Sequence, residues 1–224
     1  MTTSVSDGGP PSSDGQTPVL PPVVSAQEWQ QARADLLVEE KELTRSLDRL
    51  AARRRRLPAV RVETSYAFQG PDGPSTLLDL FGERRQLAVY QFMDVGPDGF
   101  CPGCTHLTRN VTDLATLAEE GVAWATVSEM PLEQMRGYWR EQGWQVPFYS
   151  SRGTSFAADC GVEGGFLLSL FLRDGDDIYR TYSTTQRGVD RLLFVNNVLD
   201  LAPYGRQEDW EDSPEGWPQR PTYG

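Results

Sequence analysis

Gln86-Leu87-Ala88-Val89-Tyr90-Gln91-Phe92-Met93, a loop from Asp94 to Phe100, and then Cys101-Pro102-Gly103-Cys104 form the stretch on which the fold turns. The first part is a continuous apolar run of strand length, the pattern of a central strand covered on both faces. The loop is rich in Gly, Pro and Asp. Beyond it, Thr105 to Glu119 shows helical spacing through Leu107, Val111, Leu114 and Leu117, and Gly121 closes that helix. Pro102 suits a first helical position, where its missing N–H costs nothing. A buried strand therefore hands two thiols to the first turn of a helix.

Working outward, Val122 to Ser128 reads as the next apolar strand, and Pro131 to Gln142 as a helix with Leu132, Met135 and Trp139 inward. Phe148 to Ser150 is a short strand. Leu167 to Arg173 and Ile178 to Thr184 flank Asp174-Gly175-Asp176-Asp177, a hairpin signal. Val189 to Leu201 reads as a last amphipathic helix. Upstream, Tyr66 to Gln69 reads as a strand, Pro71 to Pro74 as a turn, and Ser75 to Phe81 as a short helical turn. These alternations make residues 62–202 one α/β domain, a mixed sheet with helices on both faces. Trp139, Trp144, Phe148 and Tyr149 are expected in its core.

Before the domain, residues 1–24 are too polar and too rich in Gly and Pro to offset the entropy of ordering, and are expected to be disordered. Ser25-Ala26-Gln27-Glu28 has the form of a capping box, and a helix should run from it to about Arg56, before Pro58. Residues 25–61 are thus a long helix and a linker. Trp29, Leu36, Leu43 and Leu50 recur every seven residues, with Ala32, Leu47 and Leu57 widening the seam. Two readings follow: a helix packed along the outside of its own domain, or a coiled-coil-like contact that makes a homodimer. Arg53 to Arg56 complement the helix dipole at its C-terminus. Residues 203–224 form an acidic, aromatic tail that lies over the surface or stays loose.

Composition removes several function classes. The chain has 21 Lys+Arg against 32 Asp+Glu, a net charge of −11. A grip on nucleic acid or on an anionic membrane needs the opposite sign. Residues 1–5 have no basic leader character, and no apolar run approaches a membrane span of roughly 20 residues. A cytoplasmic protein is expected. Three cysteines and one histidine exclude a secreted disulfide framework.

The chemistry therefore rests on Cys101 and Cys104. Unpaired amides and the positive end of a helix dipole stabilise a thiolate at such a terminus. Cys101, at the end of the helix and facing the loop, is expected to attack; Cys104, one turn in, is expected to resolve. The competing reading is a metal site: Cys101, Cys104, His106 and Cys160 would make a Cys₃His set for zinc or copper. On a continuous helix Cys104 and His106 point to opposite faces, which argues against it. A third reading is a non-catalytic scaffold. Cys160, beside Phe156-Ala157-Ala158, reads as a small buried filler, and His106 as a hydrogen-bonded residue on the helix face. Arg152 and Arg187 sit at segment ends as solvated surface, with anion binding as the alternative.

Several segments carry a family resemblance: Glu40 to Arg45, Phe68 to Gly73, Val89 to Met93, Cys101 to Cys104, Phe171 to Gly175, Thr181 to Thr184 and Arg187 to Asp190. In this order they resemble the bacterial domain of unknown function 899 family of the thioredoxin superfamily, whose members are described as predicted dithiol–disulfide oxidoreductases. The resemblance spans about Ala32 to Gly205. It implies a thioredoxin-like fold and supports Cys101 and Cys104 as the active site, without supplying a substrate. Where thioredoxins place a cis-proline facing the dithiol, this chain has Glu163-Gly164-Gly165-Phe166. Peroxiredoxins carry a Pro and a Thr or Ser at fixed positions before the reactive cysteine, whereas here Asp98 stands three and Asp94 seven residues before Cys101. The expectation is a dithiol–disulfide oxidoreductase without bound cofactor, acting on a small-molecule or protein thiol or disulfide and reset by a cellular thiol reductant.

Overall fold

Strand β4 (Gln86–Gln91) is apolar on both sides because both sides are covered. A computed structural model, which describes residues 20–62, 65–162 and 164–220, places β4 inside an eight-stranded sheet. β4 pairs in parallel with β5 (Val122–Ser128) and antiparallel with β7 (Leu167–Asp174). The strand order is β1-β8-β7-β4-β5-β6-β2-β3, with β1 at Val60–Val62, β2 at Ala67–Gly70, β3 at Gly73–Thr76, β6 at Phe148–Ser150 and β8 at Asp177–Thr184. Side chains alternate along a strand, so β4 feeds two cores. Leu87 and Val89 join Phe68, Phe81, Phe156 and Phe171 on one face; Ala88 and Tyr90 join Leu107, Met135 and Trp139 on the other.

The second face carries α2 (Pro102–Arg109) and α4 (Leu132–Gln142); the first carries α5 (Phe156–Asp159) and a 3₁₀ turn at Asp79–Phe81. A strand, a dithiol-bearing helix, a parallel strand and then the antiparallel β7–β8 hairpin form a thioredoxin-like α/β sandwich. Trp139 is buried against Phe92 and Phe148, and Trp144 lies edge-on to it at 4.9 Å, so the expected aromatic core is present.

Several boundaries differ from the sequence reading. Residues 105–119 are not one helix: α2 ends at Asn110, and α3 (Leu114–Glu119) restarts from Asp113. Asp113 has φ 53°, and its carboxylate accepts from the Thr116 amide, a conformation and a cap that Asp supplies well. The last helix is likewise split into a 3₁₀ segment, Gln186–Leu192, and α6 (Phe194–Leu199). Ser75 and Thr76 are in β3, hairpinned to β2, rather than in a helical turn. β1, inside the expected linker, pairs with β8, and Arg61 is ion-paired to Asp177 there.

Helix α1 (Ala26–Arg54) begins with the capping box the sequence signals: the Ser25 hydroxyl accepts from the Glu28 amide at 3.3 Å, and Glu28 accepts from the Ser25 amide at 2.9 Å. The reading in which α1 packs along the domain is not met, since none of its residues is buried. Its last turn touches the sheet where the Arg54 guanidinium lies over the Tyr182 ring. The expected disorder of residues 1–24 falls mostly outside the described residues; residues 20–24 are exposed.

The tail follows the surface. Arg206, only 7% exposed, donates to both Asp200 oxygens at 2.6 and 2.7 Å and to Asp190 at 2.9 Å. These bonds hold its guanidinium charged, with its pKa raised further. Arg187 is exposed, as expected, and its guanidinium lies over the Trp210 ring at 3.7 Å and pairs with Asp190. Removing Arg206 leaves Asp200 without its cation, while Asp190 keeps Arg187, at a cost between that of a surface pair and a fully buried one. Arg206→Ala should therefore lower stability by about 2 kcal/mol in denaturant melts and make residues 207–220 the first segment cut in timed proteolysis. An unchanged melt and digest would show that the cluster does not anchor the tail.

Candidate active site

The dithiol sits where β4 ends and α2 begins. Cys101 is the N-cap of α2, Pro102 the first helical residue, and both cysteines are free thiols. The Cys101 sulfur accepts from the Cys104 amide at 3.4 Å, so a helix-terminal N–H points at it. The Cys104 sulfur accepts from the Met93 amide, also at 3.4 Å, just beyond the end of β4. Each sulfur thus has a backbone donor.

Burial separates the two thiols less than expected. Cys104 is fully buried and Cys101 is 6% exposed rather than open to the loop. The cover is organised by aromatic side chains. Phe100 stacks flat on Tyr138 at 3.5 Å, and the Tyr138 hydroxyl is 2.7 Å from Thr105 Oγ1, which donates to the Cys101 carbonyl. Burial pushes the Cys104 thiol up to about 12, opposed by the nearby Tyr90 hydroxyl and by the hydrogen bond from the Met93 amide. Tyr90, immersed in the same core, has its own pKa raised by burial and by the neighbouring cysteines. Its hydroxyl therefore stays protonated beside Cys104, buried without a hydrogen-bond partner in bonding geometry.

Strand alternation sends the next residue the other way. Gln91 faces Cys160, the C-cap residue of α5, in the opposite core beside Phe68 and Phe156. The Cys160 thiol is raised by burial, and Arg180 donates to its carbonyl at 2.8 Å. His106 points away from the pair, its Nε2 2.9 Å from Asn196 Oδ1 on α6. The four residues of the Cys₃His reading are thus divided: the pair and Cys160 lie on opposite faces of the sheet, and His106 is engaged by α6. Among the described residues no three His, Cys, Asp or Glu side chains gather to hold a metal. Zinc or copper does not fit these positions. Arg152 is exposed.

Tyr90, Met93, Thr105 and Tyr138 are site residues that sequence reasoning did not single out. Tyr90 could have been found, because a residue that shares a face with Ala88 and Phe92 must point at whichever helix covers that face. Tyr138 could not, since it comes from a helix remote in sequence. A cleft lined by Met93, Asp94, Ser128, Glu129, Gly164 and Gly165 opens beside Met93 at the C-terminal ends of β4 and β5. Glu163, next to it in the chain, is outside the described residues.

A family model described as "Bacterial protein of unknown function (DUF899)" matches residues 18–223. The chain belongs to this family. No curated protein matches it. Among solved structures, this DUF899 member is similar to the peroxidoxin BcpB of Mycobacterium tuberculosis, at 15% identity over 61% of this chain and 94% of that one, with a TM-score of 0.44. A mutant of PrxQ from Xylella fastidiosa is similar at 12% identity, over 62% of this chain and 94% of that one, with a TM-score of 0.44. A putative protein disulfide isomerase from Bacteroides thetaiotaomicron is similar at 18% identity, over 63% and 92% of the two chains, with a TM-score of 0.41.

The asymmetry of the pair is measurable by alkylation. A raised acid stays protonated as pH climbs past its ordinary value, and only the thiolate reacts. Between pH 7 and 10 iodoacetamide should leave Cys104 of the native reduced protein unmodified, and denaturant should expose it to rapid labelling. Peptide mass spectrometry reads each site. Rapid labelling of Cys104 in the native protein at pH 8 would contradict the burial described here.

Proposed function

We propose that this protein is a dithiol–disulfide oxidoreductase with Cys101 as nucleophile and Cys104 as resolving thiol. The observation that carries the reading is the pair's position: Cys101 caps α2 with the Cys104 amide on its sulfur, while Cys104 lies deeper on the same turn. The Cys101 thiolate attacks one sulfur of a substrate disulfide and forms a mixed disulfide, and the first substrate thiol departs, taking a proton. Cys104 then loses its proton and attacks the Cys101 sulfur, closing the internal disulfide and releasing the second substrate thiol. Two electrons pass from the dithiol to the substrate. A cellular dithiol, or two monothiols, returns them by the reverse exchange. No bound cofactor takes part.

Tyr90 is the positioning residue of the second step. Cys104 is hard to ionise in its core, and a hydroxyl donor beside the sulfur favours the thiolate as it forms. Cys101 is 6% exposed, and Phe100 and Tyr138 pack on the cluster that holds it, so substrates must be slim there or must displace that cover. The acidic surface supports neither nucleic acid nor an anionic membrane as partner, and no helix among the described residues is long and apolar enough to cross a membrane. A reducing compartment such as the cytoplasm would keep the pair in its working form.

Reduction of a small aromatic disulfide, with dithiothreitol resetting the pair, tests the scheme. Cys101→Ser should abolish turnover, and Cys104→Ser should stop at a covalent mixed disulfide visible by intact mass. Full activity in Cys101→Ser would refute the assignment, and hydrogen peroxide consumed in preference to the disulfide would redirect it. Tyr90→Phe should slow closure of the internal disulfide about tenfold, the effect of losing one hydrogen bond to a charged group. Its melting point should change little, because the hydroxyl has no hydrogen-bond partner in the folded protein. Equal closure rates would mean that Tyr90 only packs.

A further inference from the structure

We propose that two copies of this chain pair through α1 in antiparallel orientation, an arrangement independent of the redox chemistry. α1 has 29 residues, so it is about 43 Å long at 1.5 Å per residue, yet it buries none of them in its own domain. Exposed helices draw little stability from propensity alone and rely on burial of an apolar face. That face exists and is uncovered: Trp29 and Leu43 are each 60% exposed, Leu36 51% and Leu50 39%. Their seven-residue spacing is a coiled-coil seam that lacks its second strand.

Charge selects the occupant and its direction. The N-terminal half of the helix carries Glu28, Asp35, Glu39, Glu40 and Glu42 against Arg33 and Lys41. The C-terminal half carries Arg45, Arg49 and Arg53 to Arg56 against Asp48. A second copy laid parallel would set the two arginine runs side by side, which repel. Laid antiparallel, Arg45 and Arg49 of each helix pass the acidic half of the other, the arginine runs lie at opposite ends of the pair, and the two helix dipoles also oppose. The helix is thus complementary to its own reverse, as a two-fold interface requires.

The seam agrees in register. A two-fold axis between residues 39 and 40 sets Leu36 opposite Leu43 of the partner subunit and Trp29 opposite Leu50 of the partner subunit. It also sets the small Ala32 opposite Leu47 of the partner subunit. Large meets medium at Trp29, medium meets medium at Leu36 and small meets medium at Ala32, so all three layers are apolar, and only glutamates, Glu39 and Glu40, lie beside the axis itself. Each domain follows its helix at the Val60 end, so the two domains sit at opposite ends of the pair and do not collide.

Light scattering of the full chain should give twice the chain mass of 25.0 kDa at micromolar concentration. Leu36→Arg together with Leu43→Arg should return it to one chain mass and weaken association at least a hundredfold. Both positions are exposed, so the fold should stay intact by circular dichroism. Orientation is read by oxidative cross-linking of single new cysteines. Glu39→Cys, beside the axis, should give a covalent dimer and Ala32→Cys should not, because antiparallel pairing holds residue 32 far from its own copy. A monomeric wild type overturns the proposal, as does a dimer that survives the arginine pair. Cross-linking at both positions indicates a parallel pair and overturns the orientation.

Discussion

The site depends on β4 being covered on both faces. A strand with one wet face would alternate apolar with polar, whereas Leu87 to Tyr90 are all buried. That burial gives the last residues of β4 and the turn after it a fixed position between β5 and β7. The Met93 amide can then reach the Cys104 sulfur, and the Tyr90 hydroxyl can lie beneath it. The same alternation sends Gln91 to Cys160, so the sheet that builds the dithiol also removes the third cysteine from it.

Legibility in the sequence followed how local the determining force was. β4, β5, β6 and the β7–β8 hairpin could be read because burial pattern and turn residues are properties of adjacent positions. The capping box at Ser25 is equally local, a contact between residues three apart. The break at Asn110 to Asp113 was hidden because Leu107, Val111, Leu114 and Leu117 keep helical spacing across it. Only the left-handed Asp113 and its bond to Thr116 reveal two helices. β1 was hidden for another reason: three residues acquire strand character from pairing with β8, more than a hundred positions away. Non-local pairing leaves no periodic trace in so short a segment.

The candidate site divides in the same way. The dithiol and its helix terminus were visible as a motif with a physical rationale. What surrounds them came from separate parts of the fold, with Phe100 and Tyr138 meeting across 38 positions of sequence. The fate of His106 also needed the structure, since Asn196 on α6 supplies its partner. Composition alone assembled a Cys₃His set that the sheet then divided, because counting potential ligands says nothing about which face each occupies.

Burial of both sulfurs sets the chemical character of the pair. A thiol that cannot easily ionise is a poor first nucleophile but a good resolving group, because it stays protonated until the neighbouring sulfur becomes an electrophile. Cys101 differs from it by position rather than by exposure: it receives an amide from the helix terminus, whereas Cys104 receives one from the strand end and shares its core with Tyr90. The division of labour we propose therefore rests on the junction between β4 and α2, which gives each sulfur its own donor.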